Sequence, residues 1–420
     1  MSDLKPAASA RPPPRLRLAL ALVVAGALLG GILRPGAMQR LGLLDENIPW
    51  FLDSYALLAT SDAVQAGRDP WQRNPLDVYH RAHSYSDWWF VLGDLGLKRS
   101  DNFLLGGAMV ALFLGVAWLL LAPRSRAELA WQVALVLSPP VLLAVNRANN
   151  DLVIFALLGL GLWLVRRAST GRLAGYGAAV ALATGLKFYP MAAAGAVMLL
   201  RPARRGVVWA AALSAAALLV FASVYQDFLR AEFPAPIGVY LFGATVFWKQ
   251  LGLEATALVP VSLVLLAAGA LLLAWRGHTT GLTDGDAGDE GERLAFLAGA
   301  LLLLACFAGG TSYAYRWIFA LWLLPWLWRR GWLAPADAPG RMMARGTALL
   351  LTIVMWMDGF FCLALNSAGA ITESAMLRAF RTWNLCTQPL VWMLMALLAG
   401  WLAAALLATW RELRRPAAKA

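Results

Sequence analysis

The sequence predicts an all-α fold, a polytopic bundle of membrane-spanning helices. Of the 420 residues, 60% are hydrophobic and only 14% are charged, and the mean hydropathy is +0.62. Soluble globular proteins carry about 25% charged residues, so this composition excludes an ordinary soluble enzyme, a disordered chain and a disulfide-rich scaffold. The apolar residues are also gathered into long segments, separated by turns that contain arginine.

Twelve apolar segments are predicted to span the membrane, because a crossing requires about 20 mostly apolar residues. The segments 190–200 and 317–328 are short for a full crossing, so the count carries an error of about two. We expect one transmembrane domain over 18–409, a basic cytoplasmic N-terminus over 1–17 and a basic tail over 410–420. The predicted spans are 18–33, 102–122, 129–146, 151–165, 173–188, 190–200, 207–225, 257–275, 294–310, 317–328, 346–366 and 386–409.

The positions of the basic residues predict that both termini are cytoplasmic, because cytoplasmic loops are enriched in Lys and Arg. With the N-terminus inside, the arginine pairs at 166–167, 204–205 and 329–330 all fall on the cytoplasmic side. The net charge of +12 comes mostly from such scattered arginines, which argues against a nucleic-acid partner. The abundance of Ala, Arg, Gly and Leu is typical of a high-GC bacterium, so we predict a bacterial cytoplasmic membrane protein.

The predicted outer loop 35–101 is out of proportion to the others and contains nine acidic residues. Residues 51–66 have helical apolar spacing, and Gly67 fits a helix C-cap, which predicts a short amphipathic helix on the outer interface. The Trp-rich stretch after it, which includes Trp88 and Trp89, is expected mainly to anchor the loop in the interface.

Three acidic residues of this loop are candidates for chemistry. Asp53 lies in the first turn of the predicted helix, where a carboxylate is also favoured by the helix dipole. The functional alternative is a general base that takes a proton from a hydroxyl nucleophile. Asp45 and Glu46 follow the first span, and a solvated turn and a site role are equally consistent with their positions.

Further polar residues stand at the predicted outer ends of spans. Asn150 and Asp151 open the fourth span, where such residues also serve as N-caps. Lys187 and Arg316 lie outside, against the positive-inside trend, and each could simply extend to the interface. All four residues and Asp53 fall on one face of the membrane. Two cations suit an anionic headgroup such as a phosphate, and the carboxylates suit hydroxyls or a metal.

Two other interpretations of the chain stay open. A transporter or lipid flippase would also have twelve spans, and Asp358 is an acidic residue inside the eleventh. Such a protein should have midplane polar clusters and two matching halves, and the sequence has neither. An inert membrane scaffold is the third possibility. Cys306, Cys362 and Cys386 lie in apolar segments without metal-ligand spacing, and no metal site is predicted.

Four motifs, in order, resemble the integral-membrane glycosyltransferases of the GT-C superfold, and within them glycosyltransferase family 87. They are spread over roughly residues 45–330, and many family members have His where this chain has Arg316. The motifs are Asp53-Ser54-Tyr55 followed by Gly67-Arg68-Asp69-Pro70, Asn150-Asp151, Gly185-Leu186-Lys187-Phe188-Tyr189-Pro190, and Gly310-Thr311-Ser312-Tyr313-Ala314-Tyr315-Arg316.

The resemblance implies transfer of one sugar from a polyprenyl-phosphate-sugar donor to the hydroxyl of a lipid or glycan acceptor, with inversion, on the non-cytoplasmic face. Asp53 would be the base, and Lys187 and Arg316 would hold the donor phosphate. No metal would be obligatory, because the two cations can neutralise the lipid-phosphate leaving group. The substrate-orienting residues would be Asn150, Asp151, Asp45, Glu46, Tyr313 and Tyr315.

Overall fold

The computed structural model of the chain is almost wholly helical, which confirms the predicted all-α class. It describes residues 14–33, 36–43, 50–165, 170–200, 203–231, 238–279, 282, 290–368 and 372–414. Within these ranges, strands β1 (Leu241–Phe242) and β2 (Ser312–Tyr313) form a single two-stranded antiparallel ladder.

The described helices follow one another along the chain, and a long loop joins residues 65 and 102. The α-helices are α1 (Pro14–Leu33), α2 (Ala37–Arg40), α3 (Leu52–Gln65), α4 (Val91–Asp94), α5 (Asn102–Leu120), α6 (Arg126–Val136), α7 (Pro139–Arg147), α8 (Asp151–Val165), α9 (Thr170–Leu186), α10 (Ala203–Ser223), α11 (Tyr225–Arg230), α12 (Thr245–Leu251), α13 (Ala255–Trp275), α14 (Glu290–Ala308), α15 (Leu324–Trp328), α16 (Arg341–Ser367) and α17 (Glu373–Arg414). The described 3₁₀ helices are Asp87–Phe90, Arg99–Asp101, Tyr189–Leu199 and Ala314–Leu323, and Arg329–Leu333 is π-helical.

Six of the described helices are long and apolar enough to cross a membrane, so the protein is membrane-embedded. They are α5 with its preceding turn, α10, α13, α14, α16 and α17. The consecutive helices α6 and α7 are bent by 52° and make a seventh if they form one span. Each of the twelve predicted segments is helical, but several are short or 3₁₀ in form. The count of twelve therefore stays a prediction.

The interior of the bundle is built around large aromatic side chains. The ring of Phe155 on α8 lies 4.8 Å from that of Phe113 and 5.0 Å from that of Trp322. A second aromatic contact joins Trp326 and Trp401, whose ring centroids are 5.0 Å apart. By contrast, only 22% of the most apolar stretch of α10 and 17% of that of α13 are buried in the protein. Helices with so much exposed apolar surface are suited to contact with lipid.

The first long loop packs onto the bundle. Helix α3 confirms the short helix predicted over 51–66, and nine of its side chains are buried. Its position on the outer interface stays a prediction. Phe51, which precedes the helix with a left-handed φ of 64°, donates its backbone N–H to the Asn146 carbonyl at 2.7 Å, and its ring lies on Gly106 of α5. At the other end of α3, Gly67 directly follows the C-cap residue Ala66, and it ends the helix with a left-handed φ of 71° and a hydrogen bond from its backbone N–H to the Val64 carbonyl.

The tryptophans of this loop contact the end of α9. Trp89 is buried and donates its indole N–H to the Leu186 carbonyl at 3.0 Å, while Ser86 donates its hydroxyl to the Gly185 carbonyl. A Cβ on Gly185 would lie 2.1 Å from the ring of Trp88, so only glycine allows this approach. These two tryptophans therefore attach the loop to α9, and their anchoring of the loop in the membrane interface stays a prediction.

The last helix, α17, begins at Glu373, well before the predicted apolar segment 386–409. Its first turns contact the segment around β1: Arg381 donates to the Gln250 carbonyl, and Asn384 donates to the Gly238 carbonyl. Polar residues that precede the predicted span are therefore part of the same helix, which they stabilise by hydrogen bonds to carbonyls within 238–250.

Candidate functional site

Asp53, in the first turn of α3, is buried and does not cap its own helix. Each carboxylate oxygen accepts two hydrogen bonds. Oδ1 accepts from Arg81 Nη1 at 3.1 Å and Arg147 Nη2 at 2.8 Å, and Oδ2 accepts from Arg147 Nε at 2.9 Å and Asn149 Nδ2 at 2.7 Å. The Asp53 carboxylate therefore links the start of α3 to the end of α7 and to the turn before α8.

The electrostatic surroundings of Asp53 favour its ionised form. Burial alone would raise the pKa of Asp53, but the charges and hydrogen bonds of Arg147, Arg81 and Asn149 outweigh burial and hold this pKa well below its usual range. Arg81 also forms an ion pair with Asp77, and it lowers the pKa of Asp77 despite partial burial. A base with so low a pKa accepts a proton poorly, so Asp53 is not poised for that role in the state shown.

The residues Asn149, Asn150 and Asp151 surround the start of α8. Ala148 has a left-handed φ of 43° and ends α7. The Asn149 side-chain oxygen accepts the Asp151 backbone N–H at 2.9 Å and so caps α8. This arrangement turns the side chains of Asn150 and Asp151 toward Lys187. The capping role proposed as one alternative for these residues thus belongs to Asn149.

Lys187, directly after α9, is buried, so its side chain does not extend away from the protein as one alternative required. Its ammonium forms an ion pair with Asp151 and donates to Asn150 Oδ1 at 2.6 Å and to Asn149 Oδ1 at 3.5 Å. Its Nζ also lies 5.2 Å from the centroid of the Tyr85 ring and 5.7 Å from that of Tyr315. Cation–π contacts of this kind further stabilise the buried charge.

Arg316 and the tyrosines close the opposite side of this group. The Arg316 guanidinium lies 4.9 Å from the centroid of the Tyr189 ring, and the Tyr189 hydroxyl donates to Asp151 Oδ1 at 2.6 Å. The Tyr313 and Tyr315 rings stack with centroids 5.6 Å apart, and the Arg147 guanidinium lies 5.5 Å from the Tyr313 centroid. The tyrosine rings thus connect the cations that surround Asp53 with those that surround Asp151.

These side chains form one group, which we name the Asp53–Lys187 cluster. Asn149 bonds to both Asp53 and Lys187, and burial followed by the charges of Asp53 and Asp151 raises the pKa of Tyr85. Its described charged members are three carboxylates and four cations, which leaves one positive charge in excess. They are Asp53, Asp77, Asp151, Arg81, Arg147, Lys187 and Arg316.

Three buried polar atoms of the cluster have no hydrogen-bond partner within the described part of the chain. They are Asn150 Nδ2, Asp151 Oδ2 and Arg316 Nε. Buried polar groups in native proteins are nearly always satisfied, so a group left without a partner requires an explanation. Two unused donors and one unused acceptor on neighbouring residues are suited to hydrogen bonds with a polar ligand.

The structure brings together most of the residues that the sequence singled out. Asp53, Asn150, Asp151, Lys187, Arg316, Tyr313 and Tyr315 all belong to the cluster or line it. Asp45 and Glu46 lie outside the described residues. Asp358 lies apart on α16 and accepts a hydrogen bond from Trp383 at 2.9 Å.

Two cations of the cluster were missed in the sequence. Arg147 follows the third predicted span at the same face as Lys187, and its departure from the positive-inside trend was a signal that could have identified it. Arg81 lies 28 residues from Asp53 in an irregular stretch, where spacing gives no indication of a partner. Among the described residues, no three His, Cys, Asp or Glu side chains are grouped to hold a metal ion. No family model, curated protein or solved structure matches the chain.

Proposed function

We propose that the protein is a membrane glycosyltransferase that moves one sugar from a polyprenyl-phosphate-sugar donor to an acceptor hydroxyl. The observation that carries the proposal is the Asp53–Lys187 cluster, a buried set of carboxylates and cations at one end of a membrane-embedded bundle. Its excess positive charge matches a phosphodiester, which carries one negative charge. The motifs that resemble those of family 87 contribute the main residues of the same cluster.

Lys187 and Arg316 are the proposed ligands of the donor phosphate. Both cations are held by aromatic rings, and the unpaired Arg316 Nε and Asn150 Nδ2 can donate to phosphate oxygens. Fixed donors of this kind stabilise the negative charge that develops on the leaving group, without the cost of reorganising water. Asp151, through its unpaired Oδ2, can accept a hydrogen bond from a hydroxyl of the transferred sugar.

Asp53 is the proposed general base. In a single displacement, the acceptor oxygen bonds to the anomeric carbon as the bond from that carbon to the phosphate oxygen breaks. The bonding electrons leave with the polyprenyl phosphate, and the proton of the acceptor hydroxyl passes to Asp53. The attack comes from the side opposite the leaving group, so the configuration of the sugar is inverted.

The proposal is tested by comparing the lipid-linked and envelope glycans of cells that lack the protein with those of cells that regain the wild-type chain. We expect a glycan to disappear, and its sugar donor to accumulate, in the cells without the protein. Restoration by the wild-type chain would then identify the transferred sugar. If the lipids themselves change sides in the membrane while glycans keep their composition, a flippase would be the better assignment.

The proposed orientation, with twelve spans and with the cluster outside a bacterial cytoplasmic membrane, predicts opposite accessibility for two exposed arginines. Arg68 lies in the first long loop, and Arg411 lies near the end of α17. In a chain carrying Cys386→Ser, which removes the exposed native cysteine, Arg68→Cys should react with an impermeant thiol reagent on intact cells. Arg411→Cys should react only after permeabilisation. The reverse pattern would place the cluster in the cytoplasm.

A further inference from the structure

The Asp53 carboxylate has no lone pair left for a substrate. A carboxylate offers about four acceptor positions, and Asp53 accepts four hydrogen bonds from Arg81, Arg147 and Asn149. A general base must take a proton into one of those positions. Asp53 therefore has to lose at least one donor before it can act, and the structure shows which donor is least constrained.

Two of the three donor residues are fixed by other partners. Arg81 is held by Asp77 through two guanidinium nitrogens and also donates to the Leu52 carbonyl at 3.2 Å. The side chain of Asn149 is fully buried, and its oxygen caps α8. Moving Arg81 would cost its ion pair with Asp77, and moving Asn149 would leave the start of α8 without its cap.

Arg147 is held differently. Among the described residues, both hydrogen bonds of its side chain go to Asp53. Its guanidinium also lies 5.5 Å from the centroid of the Tyr313 ring, and a cation–π contact of this kind fixes the guanidinium less strictly than a hydrogen bond does. Tyr313 stacks on Tyr315, whose ring lies beside Lys187, so Arg147 already faces the side of the cluster where the phosphate is proposed to bind.

From this geometry we infer that Arg147 is shared between Asp53 and the donor phosphate, so that donor binding activates the base. The inference rests on the proposed function. A phosphodiester bound near Lys187 and Arg316 can accept two hydrogen bonds from Arg147, a bidentate pair equivalent to the one that Arg147 forms with Asp53. When Arg147 turns to the phosphate, one lone pair on each Asp53 oxygen is freed. The acceptor hydroxyl can then donate to Asp53, while Arg147 stabilises the departing phosphate.

The exchange predicts an order of events. Without donor, Asp53 is occupied and cannot deprotonate an acceptor or a water molecule. With donor bound, the freed carboxylate and the reacting anomeric carbon are present at the same time. Activation of water before the sugar arrives is thereby avoided, and the donor is expected to bind before the acceptor.

The test is a binding measurement. If Asp53 and the phosphate compete for Arg147, removing the Asp53 charge should tighten phosphate binding, whereas a merely structural ion pair predicts no such gain. Purified protein in nanodiscs is titrated with a short-chain polyprenyl monophosphate, with the uncharged polyprenol as control. Asp53→Asn should bind the phosphate about tenfold more tightly than wild type, because Arg147 is released from its competitor. In the double variant Asp53→Asn/Arg147→Gln this gain should disappear. Arg147→Gln alone should bind about tenfold more weakly than wild type.

The control for charge is Asp77→Asn, which removes one negative charge from the same cluster but leaves Arg147 on Asp53. Equal tightening in Asp77→Asn, or tightening that persists without Arg147, would mean that net charge alone acts and would overturn the inference. So would an unchanged or weaker affinity in a folded Asp53→Asn protein. If Asp53→Asn does not fold, unaltered affinity in folded Arg147→Gln would overturn it instead. Wild-type protein that binds the phosphate no better than polyprenol would contradict the proposed function itself.

Discussion

Asp53→Asn is expected to reduce sugar transfer by about 10²- to 10⁴-fold, which is the usual contribution of a general base. Asparagine keeps the size of the side chain, but its neutral amide is far less basic than a carboxylate, so it cannot take the proton of the acceptor hydroxyl. The measurement is transfer of labelled sugar from the polyprenyl-phosphate donor into the lipid and glycan fractions of membranes. Full transfer in this variant would remove Asp53 from the mechanism.

Two control variants separate the chemistry of Asp53 from its structural role. Asp62→Asn changes another carboxylate of α3, which pairs with Arg99 outside the cluster, and it should leave transfer near the wild-type rate. Arg81→Gln removes the ion pairs to Asp53 and Asp77 while keeping the base. It should therefore weaken the attachment of the loop but retain transfer that is measurable above that of Asp53→Asn.

Lys187→Met is expected to abolish donor binding and to destabilise the protein by about 3–5 kcal/mol, the usual cost of leaving one partner of a buried ion pair alone. The cost arises because Asp151 is fully buried and would lose its counterion. Thermal unfolding in detergent and titration with a polyprenyl monophosphate measure the two effects separately. Because Lys187 is buried beside Asp151, its removal should lower stability as well as donor binding.

A paired variant distinguishes the two effects of Lys187. Lys187→Met/Asp151→Asn removes both charges, so most of the lost stability should return while donor binding stays absent. Lys249→Met, at an exposed lysine whose described hydrogen bond is to Thr311, is the matched control and should preserve both properties. Wild-type affinity in the paired variant would show that the phosphate does not bind at this lysine.

The membrane class and the main members of the cluster could be predicted from sequence because each depends on a local signal. Long apolar segments are visible in any window, and Lys187 and Arg316 stand out as cations at the wrong end of a span. The partners of Asp53 could not be predicted in the same way. Arg147 and Asn149 lie 94 and 96 residues from it, and their contact depends on the bend between α6 and α7 and on the left-handed residue Ala148.

The start of α17 illustrates a second limit. Residues 373–385 are mixed in polarity, and a hydropathy window ends a membrane helix where the apolar run ends. In the structure the helix continues because Asn384 and Arg381 find carbonyl partners in the segment that contains β1. These hydrogen bonds are tertiary contacts, so the helix propensity of residues 373–385 alone does not predict them.

The two 3₁₀ helices Tyr189–Leu199 and Ala314–Leu323 affect how far the chain reaches per residue. A 3₁₀ helix rises about 2.0 Å per residue, so the 11 residues of the first extend about 22 Å, whereas an α-helix of that length would extend about 17 Å. The second extends about 20 Å over its 10 residues before α15 continues it. Both begin beside the Asp53–Lys187 cluster. These two segments have few residues but are longer than α-helices of the same residue number. A length calculated from the α-helical rise therefore underestimates how far each of them extends.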